Sequence, residues 1–324
     1  MATAAIAGTV DKVLSSAFPG LLKDLGMGVY NSSPVFARIN KGNQKRPWEG
    51  ESIQGALISS TYGKAASYQN DDTVDTTSKE PFTAFQFELG GYQTNVTLFG
   101  MQIRKVQSSY RKLFDLQKTE TRLATIDMVD KMSDHLFQST NDAKGILSLD
   151  TITDASTTIA GVAGSGVWGG TTTASGSFAA QGKSDLVTLY LTLSKFASFK
   201  ETNNTTGMAN EPNLAVTTNA VWQFYWNSLD ASMRYTTSDT GDVMTKLAFM
   251  GMPIVQDQHV ATGRLYMLNT RELYLYVMGD ADFTSLAPSA PVSQPDSWSR
   301  GLIWNGQLVF SNRRCQGKLT GITA

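Results

Sequence analysis

From Val106 to Asn141 the chain carries neither a proline nor a glycine, and no other feature constrains its fold as much. Good helix formers are common there. Ser108 or Ser109 can cap the start, and Gly145 lies just past the end. Leu113, Leu116, Leu123, Ile126, Val129, Met132 and Leu136 recur mostly at three- and four-residue spacings, the period of a helix. The pattern predicts a single helix over about 106–141, on the order of 50 Å long at 1.5 Å per residue. A rod of that length normally organises a domain by lying across a sheet.

The segments before the rod are extended. In residues 1–47, Val10, Val13, Leu14 and Ala17 have helical spacing, but Phe18-Pro19-Gly20 stops the helix after about two turns. Pro34, Gly42 and Pro47 punctuate the remainder of this segment, so it reads as an arm that lies on another surface. In residues 48–105, Phe82, Ala84, Phe85, Phe87, Leu89, Val96 and Leu98 fall in short alternating runs, the mark of strands. The stretch Thr73–Glu80 is polar, which predicts a long hairpin with a solvated tip.

After the rod, residues 150–182 are mostly Thr, Ser, Gly and Ala around Trp168, a long loop or a few short strands. A helix is expected at about 184–199 and a buried strand at Leu214–Val216. Thr218 or Asn219 should cap a further helix carrying Trp222, Tyr225 and Trp226. Short strands are expected at 247–250, 253–255 and 265–268. Asn305-Gly306 between two apolar runs predicts a terminal hairpin, because both turn positions favour positive φ. The class is α+β, and 324 residues suit about two domains.

Composition removes several classes of function. With 27 Lys plus Arg against 28 Asp plus Glu, nothing pulls the whole chain toward nucleic acid or anionic lipid. No run approaches the ~20 apolar residues of a membrane span, and no secretion signal opens the sequence. One cysteine excludes an intrachain disulfide framework, and two histidines leave little for zinc, so a soluble protein of a reducing compartment without metal or cofactor is expected.

Motifs for chemistry are weak. Gly164, Gly166 and Gly169 have dinucleotide-binding spacing, but the residues after them do not read as the helix that a pyrophosphate requires. Asp257 and His259 could form half of a hydrolase triad, yet no serine sits in a Gly-x-Ser-x-Gly elbow. His135 reads as an ordinary helix residue and Cys315 as a buried thiol. One charge asymmetry stands out. The acids Asp71, Asp72 and Asp75 crowd the hairpin tip, whereas Arg300, Arg313, Arg314 and Lys318 come after Ser297 with no acid among them. These opposite patches are candidate inter-subunit contacts.

The order of arm, hairpin, long helix, mixed domain and terminal strands is joined by three further stretches. One runs Leu247-Ala248-Phe249-Met250-Gly251-Met252-Pro253-Ile254-Val255-Gln256-Asp257, the next Gly263-Arg264-Leu265-Tyr266-Met267-Leu268-Asn269, and the last Trp304-Asn305-Gly306-Gln307-Leu308-Val309-Phe310 and on to Leu319. Together they resemble the major capsid proteins of tailed bacteriophages, the Hong Kong 97-type fold. The resemblance implies an N-arm at 1–47, an E-loop at 48–105, a spine helix and peripheral domain at 106–149, an axial domain at 150–260, and return strands to the peripheral domain at 261–324. It further implies self-assembly into pentamers and hexamers of a shell around double-stranded DNA, in a virion built in the host bacterial cytoplasm. Separate scaffolding and portal proteins, decoration proteins in some members, and no enzymatic activity belong to the same expectation. Some members form Lys–Asn crosslinks; Lys64 lies in the hairpin, but nothing around it in sequence identifies a partner, and no crosslink is expected. The competing readings are a hydrolase built on Asp257 and His259 and an oligomeric tail or adhesion module.

Overall fold

The expected rod is present, as a helix whose buried stripe is narrower than its apolar content. The computed structural model describes residues 44–58, 82–106, 110–164, 168–195, 211–229, 247–287 and 296–324, with isolated positions between and before them. In chain order the elements begin with β1 (Lys45–Trp48), β2 (Ser52–Ile58), β3 (Phe82–Glu88), β4 (Gly90–Phe99), α1 (Gly100–Val106), the long helix α2 (Tyr110–Phe137) and α3 (Leu149–Thr153). They continue with β5 (Thr171–Ala174), α4 (Lys183–Ser194), β6 (Leu214–Thr217), α5 (Asn219–Ser228), β7 (Ala248–Phe249) and β8 (Met252–Gln256). The last are β9 (Leu265–Leu268), β10 (Leu273–Met278), β11 (Thr284–Ser285), β12 (Ser297–Phe310) and β13 (Gly317–Thr320).

Along α2, Thr121, Thr125, Met128, Val129, Met132, Ser133, Leu136 and Phe137 are buried, while Leu123 and Ile126 stay more than half exposed. Leu123 and Met132 are two and a half turns apart and therefore on opposite sides of the helix. The stripe is completed by small polar residues instead. The Thr125 hydroxyl donates to the Thr121 carbonyl at 2.8 Å, satisfying itself within the helix.

The first sheet has the order β1-β10-β12-β11, with β4 also paired to β12. The second has the order β5-β13-β9-β6-β8-β7. Strand alternation divides the core. Leu214, Val216, Tyr266 and Leu268 of the second sheet join α2 and the inner face of the first sheet in one cluster. Ala215, Leu265 and Met267, between them in sequence, join a second cluster with Leu186, Leu189 and Leu193 of α4 and Val221 and Tyr225 of α5. The second sheet is thus covered on both faces, which is why β6 and β9 are buried at every position.

Three expectations need correction. The Asn305-Gly306 turn does not exist: β12 runs unbroken for 14 residues. Gly306 pairs with Gly90 of β4 on one side and Val277 of β10 on the other. A Cβ there would lie 2.5 Å from the Tyr276 carbonyl and 2.8 Å from the Trp304 ring, so glycine serves close approach and not a turn. The second correction concerns residues 150–182, which include the helix α3 and a π-helical turn over Phe178–Gly182 as well as β5. The third concerns the arm. Its described end is β1, parallel to β10 of its own chain, and Val35 and Ile39 are fully buried in the first cluster.

The hairpin does form at its base: β2 and β3 pair antiparallel from Ser52–Glu88 to Ile58–Phe82. Its aromatic face meets Trp168, which packs on Phe85 at 6.0 Å and on Phe310 at 5.0 Å between ring centroids. Residues 261–324 are shared between the sheets, β10, β11 and β12 in the first and β9 and β13 in the second.

Candidate functional site

The densest polar structure lies where α3 meets β9 and β13. Ser148 caps α3, accepting a hydrogen bond from the Thr151 amide, and so places Asp150 in the first turn. Asp150 is buried and gathers three donors on its Oδ1: Arg264 Nη1 at 2.6 Å, Tyr266 Oη at 3.0 Å and Lys318 Nζ at 3.0 Å. Lys318 Nζ also donates to the Asp150 carbonyl at 3.0 Å and lies 3.8 Å from Asp154 Oδ2. Burial and the Asp150 charge both push the Tyr266 phenol well above its ordinary range. For Asp154, partial burial would raise the acid, but hydrogen bonds from the amides and hydroxyls of Ser156 and Thr157 prevail and hold it well below the usual carboxylate range.

Arg313 completes the hub. Asn312 caps a 3-10 turn over Arg313–Cys315 and turns Arg313 inward, where it is fully buried. Its Nε donates to the Ile152 carbonyl, Nη1 to those of Thr157 and Trp168, and Nη2 to those of Thr151 and Asp154, at 2.6–3.0 Å. All five N–H groups of the guanidinium are used. Burial lowers its pKa to about 10, against the opposing pull of Asp154.

This arrangement corrects the expectation for the basic terminal segment. Arg313 and Lys318 are enclosed within the chain and present no charge at its surface. Arg300 and Arg314 are half-buried; Arg300 Nε donates to the Leu286 carbonyl at 2.7 Å. Asp71, Asp72 and Asp75, like Lys64, lie outside the described residues. Sequence reading missed Asp150, Asp154, Arg264 and Tyr266. The run Asp154-Ala155-Ser156-Thr157 was a readable signal, since an Asx residue followed by hydroxyls favours this local turn.

The charges of the hub are met by one another and by backbone carbonyls. Beside the hub lies an open groove of about 440 Å³, whose lining includes Asp142, Asp150, Asp154, Gln307, Phe87 and Ile159. No group of three or more His, Cys, Asp or Glu among the described residues could hold a metal ion. Asp257 and His259 do meet, at 3.1 Å between Oδ1 and Nδ1, but His259 Nε2 is 2.9 Å from Asp130 Oδ1 on α2. With a carboxylate at each nitrogen, the ring has no position left to take a proton from a nucleophile. Cys315 is buried, and desolvation together with the Glu272 charge pushes its thiol up to about 12, against Arg314. Gly169 packs against the Ala155 carbonyl, where a Cβ would come within 2.9 Å, and the strand β5 comes after it, not a nucleotide-binding helix. His135 faces Tyr92, its Nδ1 3.0 Å from the phenol oxygen, which in turn accepts from the Ile146 amide.

No protein-family model matches the sequence, and no curated protein matches it. Solved structures do. A capsid of a native GTA particle is similar at TM-score 0.61 and 13% identity, over 89% of this chain and 90% of that one. The capsid asymmetric unit of Cyanophage A-1(L) is similar at TM-score 0.59 and 12% identity, over 87% and 91%. A procapsid of satellite phage P4, which includes a size determination protein, is similar at TM-score 0.50 and 10% identity, over 93% and 91%. The chain has the mixed α+β fold of phage capsid proteins.

Proposed function

We propose that this chain is the major capsid protein of a tailed bacteriophage, building the pentamers and hexamers of an icosahedral shell around double-stranded DNA. The carrying observation is that nearly nine-tenths of its length, not one module, matches the fold of capsid subunits. Two features of the chain support the reading. Phe82, Met101, Leu123, Ile126 and Met250 are more than half exposed, apolar surface that a monomer has no need to keep and that neighbours in a shell would cover. The near balance of charge suits a container that encloses DNA without gripping it.

On this reading the arm spans 1–47 and the E-loop 48–105. The long helix belongs to a peripheral domain with the first sheet, and the second sheet with α4 and α5 forms an axial domain. Assembly takes place in the host bacterial cytoplasm, with separate scaffolding and portal proteins and, in some shells, a decoration protein. The size determination protein of the satellite phage P4 procapsid is a precedent for such a partner. The subunit is structural and not an enzyme, and Asp71, Asp72 and Asp75 pair with Arg300 and Arg314 of a neighbour. Negative-stain microscopy of the protein purified from cells that also supply the scaffolding partner tests the central claim: closed, uniform shells are expected. Discrete monomers, or tubes and fibres alone, would overturn it in favour of a soluble enzyme or a tail module.

A further inference from the structure

We propose that Asp130, His259 and Asp257 form a proton-operated clasp that ties the long helix to the loop between β8 and β9 and opens as the imidazole loses its proton. The geometry is that of an imidazole held between two acceptors. His259 Nδ1 lies 3.1 Å from Asp257 Oδ1, and His259 Nε2 lies 2.9 Å from Asp130 Oδ1. The His259 amide also donates to Asp257 Oδ1 at 3.0 Å, so loop and ring are oriented by the same carboxylate. A neutral imidazole has one N–H and one lone pair. It can satisfy one carboxylate only, and its lone pair then faces the other. The imidazolium donates to both.

Among the described residues, the charged groups acting on the ring are Asp130 from the helix and Asp257 from the loop. The His259 side chain is 16% exposed and that of Asp257 only 4%, while Asp130 is 63% exposed and reaches in from the helix surface. Burial of the ring works against its charge, but the hydrogen bonds and charges of the two acids outweigh it and raise the pKa above 6.5. The two elements joined by the clasp are far apart in sequence, α2 on one side and the end of β8 on the other. Next to His259 in sequence, Val260 is buried in the same core cluster as Met128 and Val129 of the long helix.

Linkage sets the sign. A group whose pKa is raised on folding contributes stability that is fully present below its unfolded value, about 6.5, and is lost as pH rises through the folded value. The clasp is therefore closed below about pH 6.5, as long as both acids remain ionised, and opens as pH rises through the folded value.

The experiment uses the full chain, kept in one assembly state, and does not depend on whether shells form. Imidazole hydrogen–deuterium exchange read by mass spectrometry gives the His259 midpoint, and thermal unfolding is measured from about pH 5 to pH 10. The variant is Asp130→Asn, which keeps the shape of an exposed residue. The wild-type midpoint is expected above 6.5, falling toward that value in the variant. The wild type's melting advantage over the variant should be full below pH 6.5 and fade as pH passes the wild-type midpoint. A wild-type midpoint at or below 6.5, a midpoint unmoved by the substitution, or a melting gap constant across the range would overturn the proposal.

Discussion

Arg313 shows how one residue can hold a region that has little core of its own. Residues 151–157 and 168 come from a stretch of small polar side chains, and five of their carbonyls converge on a single guanidinium. Removing it would take the side-chain donor from the Ile152, Thr157 and Trp168 carbonyls, while those of Thr151 and Asp154 keep the amides of Asp154 and Gly170; a buried acceptor left unpaired costs more than the bond was worth. Arg313→Ala should therefore destabilise the subunit by about 3–5 kcal/mol, the range seen when a buried charged partner is removed. Arg313→Lys should recover only part of this, since an ammonium supplies three donors and the site uses five. Arg314→Ala, its half-buried neighbour, should cost less than about 1 kcal/mol. Urea unfolding of unassembled subunits measures all three, and an Arg313 variant no weaker than the Arg314 variant would refute the account. In sequence these two arginines were indistinguishable. What separates them is the Asn312 cap, which accepts from the Arg314 amide at 3.1 Å and fixes the direction of each side chain.

Elements were legible where local pattern and tertiary environment agreed. The long helix, the buried strand at 214–217 and the Thr218-capped helix can all be read from spacing and capping alone. Strand β12 cannot, because Asn-Gly is a turn signal only when nothing pairs with it. Here β4 and β10 pair on either side, and the ladder outweighs the local preference. The same glycine then becomes a packing residue, which gives a test. Gly306→Ala should destabilise by about 1–3 kcal/mol through overpacking against the Tyr276 carbonyl and the Trp304 ring. Gly279→Ala, where nothing lies within 4 Å of the added carbon, should be within about 0.5 kcal/mol of wild type. Equal effects in a thermal melt would mean that space at Gly306 is not what requires glycine. The buried hub escaped sequence reading for a related reason: Asp150, Arg264, Tyr266 and Lys318 are up to 168 residues apart, and only the sheet brings them together.

At the scale of the whole molecule, the described residues close a core but leave several large apolar side chains exposed, among them Phe82, Met101, Leu123 and Ile126. Its arm is less independent than its composition suggested, since Val35 and Ile39 are fully buried in the main cluster. In the proposed shell, the surface offered to neighbours would include the exposed apolar residues. With Arg313 and Lys318 buried, Arg300 and Arg314 are the half-buried members of the basic set proposed to meet Asp71, Asp72 and Asp75 across a contact. An exposed pair of this kind contributes about 0.2–1 kcal/mol, too little to affect folding of one subunit. Repeated at every contact of a closed shell, the same small term biases assembly strongly. Replacing the three acids by Asn should leave the circular dichroism of the subunit unchanged and lower the yield of shells at low ionic strength. Salt screens such pairs within about 8–10 Å near physiological strength, so the wild-type yield should fall toward that of the variant as salt is raised. Gel filtration and particle counts across a salt series read both trends. Equal yields at low salt would show that the acidic tip is solvated in the shell and that closure rests on the apolar contacts alone.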